Sequence, residues 1–198
     1  FVFPDIAKGS TTYAVGSAEE NKLETLDIYV FTEHPNSADN PKPMVLEEVF
    51  LSGTDGFDFQ TSGNDKISKI KVPAGDKKHF FFIANGRKYH GQNAFKLFET
   101  TAESMMKLGN SMAGSQHIVC PLEMSTDTLV DMTIVGSPAT IDVELTRRVA
   151  RFDVKNDPDD SGFIVDEILI FNAPAGANVF AKQDAIQPYT SNVTPQLD

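Results

Sequence analysis

Most of the chain is written in short runs whose apolar residues alternate with polar ones, the period of a β-strand with one face buried. In Leu26-Asp-Ile-Tyr-Val-Phe31, Leu26, Ile28 and Val30 fall on one face and Asp27, Tyr29 and Phe31 on the other, which predicts a strand at least half buried. The loop from Glu33 to Pro43 is rich in Pro, Asn and Asp, residues that withhold ladder hydrogen bonds or favour turns. Val45 to Leu51 resumes a strand, and Ile67 to Val72 predicts another before Pro73-Ala-Gly-Asp76 turns the chain. Lys77 to Ala84 holds Phe80-Phe-Phe-Ile83, apolar on both faces as a central strand requires, and Asn85-Gly86 ends it.

Between Gly91 and Gly114 the spacing changes to three and four. Phe95, Phe98, Ala102, Met105 and Leu108 predict one kinked helix or two short ones lying over a sheet, with Thr100-x-x-Glu103 as a capping box. Met105, Met106 and Met112 read as adaptable core filler. Strands return at Ile118 to Met124 and Thr128 to Val135. Ile141, Val143 and Leu145 then form an odd-numbered apolar set, whereas Ala150, Phe152 and Val154 form an even-numbered one. One regular strand cannot change parity, so a bulge or bend is expected near Thr146 to Val149. Phe163 to Phe171 is the last strong strand, and beyond Asn172-Ala-Pro174 the signal fades. Seven or more short strands with one helical interruption predict an all-β, two-layer Greek-key β-sandwich with one or two short helices inserted. The domain is expected over residues 1–180, with 181–198 the start of a linker to, or the truncated beginning of, a C-terminal domain. The absence of Trp and of a Cys pair argues against an immunoglobulin domain.

Composition then narrows function. The chain has 198 residues, 40% of them hydrophobic, which is enough for a substantial core. Its formal net charge of −11 repels phosphate backbones and anionic lipid, so no nucleic-acid partner is expected. The strongest apolar run, Phe80 to Ala84, has only strand length, and no membrane span is expected. Cys120 stands alone without metal-ligand spacing and is expected to be a buried apolar thiol. No signal peptide or lipoprotein acylation site is present, and the abrupt opening Phe1-Val-Phe3 is expected to reflect processing or trimming.

Candidate chemistry is sparse. His34, His79, His90 and His117 sit in no nucleophile motif and no zinc spacing, and no Gly-x-Ser-x-Gly elbow occurs. No histidine is expected within hydrogen-bonding reach of a Ser, Asp or Glu in a pocket. Gly109-Asn-Ser-Met-Ala-Gly114 lacks the Gly-Lys-Ser/Thr of a phosphate loop and reads as a loop after a helix. Asp157-Pro-Asp-Asp-Ser-Gly162 begins like a calcium loop, but Ile168 stands where a bidentate Glu belongs, so a solvated turn is expected. Arg147, Arg148 and Arg151 form a dense basic cluster, expected to pair with Glu144 and Asp153 across strands in preference to holding an anion. Asn192-Val-Thr194 matches a glycosylation triplet that has meaning only in a eukaryotic secretory route. No catalytic residue, metal or cofactor is assigned, and an enzyme is not expected.

Four stretches, taken in order, carry a resemblance. They are Ala18-Glu-Glu-Asn-Lys-Leu-Glu-Thr-Leu-Asp-Ile-Tyr-Val-Phe31, the Val72-Pro-Ala-Gly75 turn leading to Phe82-Ile-Ala-Asn-Gly86, Pro121-Leu-Glu-Met124, and Leu145-Thr-Arg-Arg-Val-Ala-Arg-Phe-Asp-Val154 with Phe171-Asn-Ala-Pro174. Together they resemble the N-terminal domain of fimbrillins, the Mfa-like fimbrial subunits of anaerobic Gram-negative bacteria. Arg148, Ala150 and Arg151 match the arginine-containing strand that similar proteins carry before an acidic turn. The resemblance implies a transthyretin-like sandwich, exported as a lipoprotein precursor to the outer membrane surface and trimmed at its N-terminal strand. It implies polymerisation with other fimbrial subunits by strand donation, in support of cell adhesion. Because similar subunits are processed at the first strand, Phe1, Phe3, Ile6 and Tyr13 are the expected strand-exchange residues. The competing readings are a fimbrial tip adhesin or glycan-binding surface lipoprotein, whose partner would be a host glycan or protein, and a secreted hydrolase.

Overall fold

The structure, a computed structural model, describes residues 2–4, 18–54, 57–62, 65–90, 95–111, 120–127, 130–134, 139–147, 167 and 176–180. These residues are mostly β-strands in antiparallel sheets, with very little helix. In chain order the elements are β1 (Val2–Pro4), β2 (Leu26–Glu33), β3 (Met44–Leu51), β4 (Phe59–Ser62), β5 (Asp65–Ser68), β6 (Gly75–Ala84), α1 (Arg87–His90), α2 (Ala102–Met106), β7 (Gly109–Ser111), β8 (Met124–Ser125), β9 (Val130–Ile134), β10 (Thr146–Arg147) and β11 (Gly176–Asn178).

The largest sheet runs β10-β8-β6-β2-β3, with β9 pairing the first half of β6 while β8 pairs its end. Strand β6 is central, as its apolar run requires, and the register Ile28 opposite Phe82 and Tyr29 opposite Phe81 sets its alternation in phase with β2. Leu26, Ile28, Val30, Phe80, Phe82 and Ala84 therefore share one face, where Phe57, Met124, Val143 and Leu145 complete a buried cluster. Tyr29, Phe31, Phe81 and Ile83 point the other way, into a second cluster with Leu46, Ala102, Met105, Val179 and Phe180. Both faces of this sheet are thus dry, which explains why Leu26 to Phe31 is buried throughout and not merely on alternate residues.

Burial of each large apolar side chain contributes about 1.5–3 kcal/mol. The two clusters are therefore the main stabilising feature among the described residues. Phe81 meets Phe31 and Phe180 edge-on at 5.3 and 4.6 Å between centroids, and Tyr29 meets Phe95 at 5.1 Å. Segment 176–180 reaches the second face by pairing β11 with β7, and the Val179 N–H donates to the Leu108 carbonyl at 2.9 Å. The Ser125 hydroxyl donates to the Val179 carbonyl.

Several expectations change. Among the described residues the helical region holds one five-residue helix, α2, whose cap is Thr101 and not Thr100: Thr101 Oγ1 accepts the Ser104 N–H at 3.1 Å. Phe98 does not join the helix. It takes a left-handed conformation, φ 59°, because its N–H donates to the Leu46 carbonyl at 2.7 Å while the Leu46 N–H donates to the Thr100 carbonyl at 2.8 Å. This strap covers one end of the β3 edge and leaves Leu97 and Phe98 at 53% and 49% exposure. Met105 and Met106 do pack as core filler, and Met112 lies outside the described residues.

Ile67 to Val72 forms a strand only as far as Ser68, since β4 and β1 pair no further along it. Gly109–Ser111 is a strand, not a loop. In place of a strand from Ile118 to Met124, the described part pairs only from Met124. Cys120 is exposed, because the burial of this turn falls to Pro121 and Leu122. Val143 and Leu145 occupy the core with the odd parity read from the sequence, and Ile141 packs against them, but only Thr146–Arg147 enters a ladder. Residues 148–166 and 168–175, which include the even-numbered set, the acidic turn and the final strand, lie outside the described residues, as do the linker residues 181–198.

Candidate functional site

Of the four expected strand-exchange residues, the structure describes the position of one. Phe3 sits in β1 opposite Lys66, between Val2 opposite Ile67 and Pro4 opposite Asp65. Phe1, Ile6 and Tyr13 lie outside the described residues. Strand β1 is the edge of a separate three-stranded sheet ordered β1-β5-β4, and its ladder spans three residues. Pro4 closes it chemically, having no N–H to give.

A polar knot forms where β6 ends. Asn85 is buried with φ 59°, a conformation that Asn tolerates better than most residues. Its Oδ1 accepts the N–H groups of Glu24 and Thr25 at 3.0 and 3.2 Å, and its Nδ2 donates to the carbonyls of Lys22 and Leu122 at 2.9 and 2.8 Å. One side chain therefore ties the approach to β2 and the approach to β8 onto the end of β6. The adjacent Gly86 is obligatory for a different reason: a Cβ there would collide with Ile83 Cγ2 and lie 2.9 Å from Glu123 Oε1.

Beyond Gly86, α1 returns two side chains to the sheet. Arg87 Nε and Nη2 donate to Asp27 Oδ1 at 2.8 and 2.5 Å, and Nη2 also reaches Ser52 Oγ at 3.2 Å. Ser52 Oγ accepts the Leu26 N–H at 2.8 Å. Burial raises the Asp27 carboxyl above its ordinary value, opposed by the Arg87 guanidinium. Burial also holds the Tyr29 phenol far above its usual range, with the Asp27 charge adding to the effect.

His90 Nε2 lies 2.7 Å from Glu123 Oε1, both side chains almost wholly buried. His79 Nδ1 contacts Asp131 Oδ1. Two histidines thus contact a carboxylate, His90 because the tight turn at Asn85-Gly86 folds α1 back over the sheet end and His79 from within β6; the expectation concerned such a pair in a pocket, which these contacts do not address. Chemically this arrangement orients groups more than it activates them. The bond described for His90 goes to Glu123, and those of Ser52 go to Leu26 and Arg87, so these two residues do not make a Ser–His pair.

A second buried charge stands at the opposite end of the sheet. Lys78 is 2% exposed; its Nζ donates to Thr32 Oγ1 at 3.2 Å and to Glu47 Oε2. Glu47 is the extra residue of a bulge, since Val30 faces Glu48 while Phe31 faces Leu46. The neighbouring Glu48 carboxyl is raised, first by burial and then by the Glu47 charge, with Lys78 opposing. Among the described residues no three His, Cys, Asp or Glu side chains gather as a metal would require, and no helix is long and apolar enough to cross a membrane. Arg147 lies in β10 opposite Met124, whereas Arg148, Arg151 and Asp153 fall outside the described residues.

Compared with known protein families, curated proteins and solved structures, the chain matches none. Its own geometry carries the functional argument.

The sequence held signals for the knot that periodicity alone passes over. Asp27 occupies an inward strand position between apolar neighbours, which demands a cation, and Asn-Gly directly after a buried strand marks a left-handed turn.

Proposed function

We propose that this chain is a structural subunit of a bacterial surface fimbria, built on a transthyretin-like Greek-key sandwich, displayed outside the cell and polymerised by strand exchange. The observation that carries the reading is the setting of β1: an edge strand, paired with β5 over three residues, in a sheet separate from the main one. A strand held by one short ladder is inexpensive to remove, and its departure opens the edge of β5 to a strand from elsewhere. The polar knots and the second core cluster are built on the other sheet, so the removal is expected to leave them in place. The resemblance of residues 18–180 to fimbrillin N-terminal domains supports the same reading.

The test compares the chain with and without residues 1–4. Removal should produce oligomers that survive mild detergent as a ladder and appear as filaments by electron microscopy. A trimmed chain that stays folded yet monomeric at every concentration overturns the proposal.

A further inference from the structure

The lane that β1 occupies is longer than β1. Beyond Ser68 the chain keeps the alternation of a strand: Ile70 and Val72 pack against the first core cluster, while Lys69 and Lys71 are exposed. Yet residues 69–74 enter no ladder and no backbone hydrogen bond among the described residues. Pairing by β1 ends at Val2 opposite Ile67, and pairing by β4 ends at Phe59 opposite Ser68. An open edge thus continues directly from the β1 slot.

Its charge is unusual for this chain. Lys66, Lys69, Lys71, Lys77 and Lys78 fall within thirteen residues that contain Asp76 as the lone acid, in a protein with 28 acidic and 17 basic residues. Lys78 is turned inward to Glu47 and Lys77 stands 3.9 Å from Glu33, whereas Lys69 and Lys71 enter no ion pair among the described residues. Directly opposed residues of an antiparallel pair share a face and sense each other's charge.

We infer that residues 65–72 form one continuous acceptor edge for an antiparallel strand from a second subunit, carrying carboxylates opposite Lys69 and Lys71 and apolar residues opposite Ile70 and Val72. Charge complementarity names the occupant: a second copy of this chain, whose formal net charge is −11. The inference rests on the strand-exchange reading for the origin of that strand, and it adds a mechanism. The incoming strand pairs first with 69–72, which β1 leaves open, and then displaces β1 from 65–67.

The experiment measures binding of two short synthetic peptides, one alternating valine with glutamate and one alternating valine with lysine, to the full chain and to the chain lacking residues 1–4. The glutamate peptide should bind both, more tightly once β1 is gone, and its affinity should fall in ~0.5 M salt. Lys69→Glu with Lys71→Glu should weaken it by about tenfold or more and favour the lysine peptide instead. Both lysines are exposed, so the variant should fold, and its unchanged denaturation midpoint checks this. Equal binding of the two peptides, or binding of neither, overturns the inference. A trimmed chain that polymerises without any charge preference loses the inference alone, whereas one that takes the glutamate peptide but never polymerises loses the fimbrial reading alone.

Discussion

Phe180 lies edge-on against Phe81, ring centroids 4.6 Å apart, although the two residues stand about a hundred positions apart in the sequence. Both are fully buried, and Phe180 closes the face of the main sheet that α2 leaves uncovered. Phe180→Ala should cost about 3–5 kcal/mol, since it leaves a cavity against Phe81 that the β-sheet cannot collapse to fill. Urea denaturation measures this. A loss below about 1 kcal/mol would show that segment 176–180 is dispensable to the core.

Asn85 separates two effects that a single substitution would merge. Asn85→Gly keeps the left-handed backbone but removes four side-chain hydrogen bonds, and should lose on the order of 2–4 kcal/mol. Asn85→Ala loses the same bonds and also forces a Cβ into a disfavoured conformation, adding about 1 kcal/mol. Equal stabilities of the two variants would mean that the backbone conformation relaxes.

Asp27 sets a pH dependence of definite sign. Its carboxyl is raised in the folded state, so the folded protein holds a proton that the unfolded chain releases near pH 3.8. Stability from this group is therefore fully present below that pH and is lost as pH rises through the folded value. Glu48 acts in the same sense. Asp27→Asn should flatten the acid limb of stability plotted against pH, leaving only the part due to Glu48 and other carboxyls. An unaltered acid limb would exclude Asp27 as a contributor.

Lys78 and Glu47 should behave as a coupled pair. Lys78→Met strands the Glu47 carboxylate and should cost about 2–3 kcal/mol, toward the low end for a buried pair because Glu47 retains access to water. Adding Glu47→Leu should restore much of that loss. Strictly additive single and double variants would show that the pair is not coupled.

The sequence reveals the strands whose core contribution is local and repetitive. Phe80 to Ala84 announces itself because apolar side chains at every position suit a strand covered on both faces, whereas Leu26 to Phe31 shows itself by alternation, with Asp27 masking the burial of its second face. The helix was less legible, because the spacing of Phe95, Phe98 and Ala102 imitates a helical stripe. Tertiary hydrogen bonds to Leu46 instead pull Phe98 out into solvent, and periodicity carries no record of such bonds. The expected strand after Ser68 failed for a related reason: a strand is defined by its neighbours, and Ile70 and Val72 show the alternation without the partners. Among the site residues, Phe3 is assigned to the first strand and to strand exchange by resemblance alone, and its position on a sheet edge comes from the structure. Lys69 and Lys71 carry no motif or spacing that marks a strand edge in the sequence.

The covering of Phe81 by Phe180 also sets a schedule for biosynthesis. The strands β2, β3 and β6 are complete once Ala84 has been made, but their second apolar face waits for a segment about a hundred residues later, on the order of 5–20 seconds at typical synthesis rates. Throughout that interval the part of the face around Phe81 that α2 does not cover is left as a sticky surface on the nascent chain, the kind of client that holdase chaperones keep from aggregating.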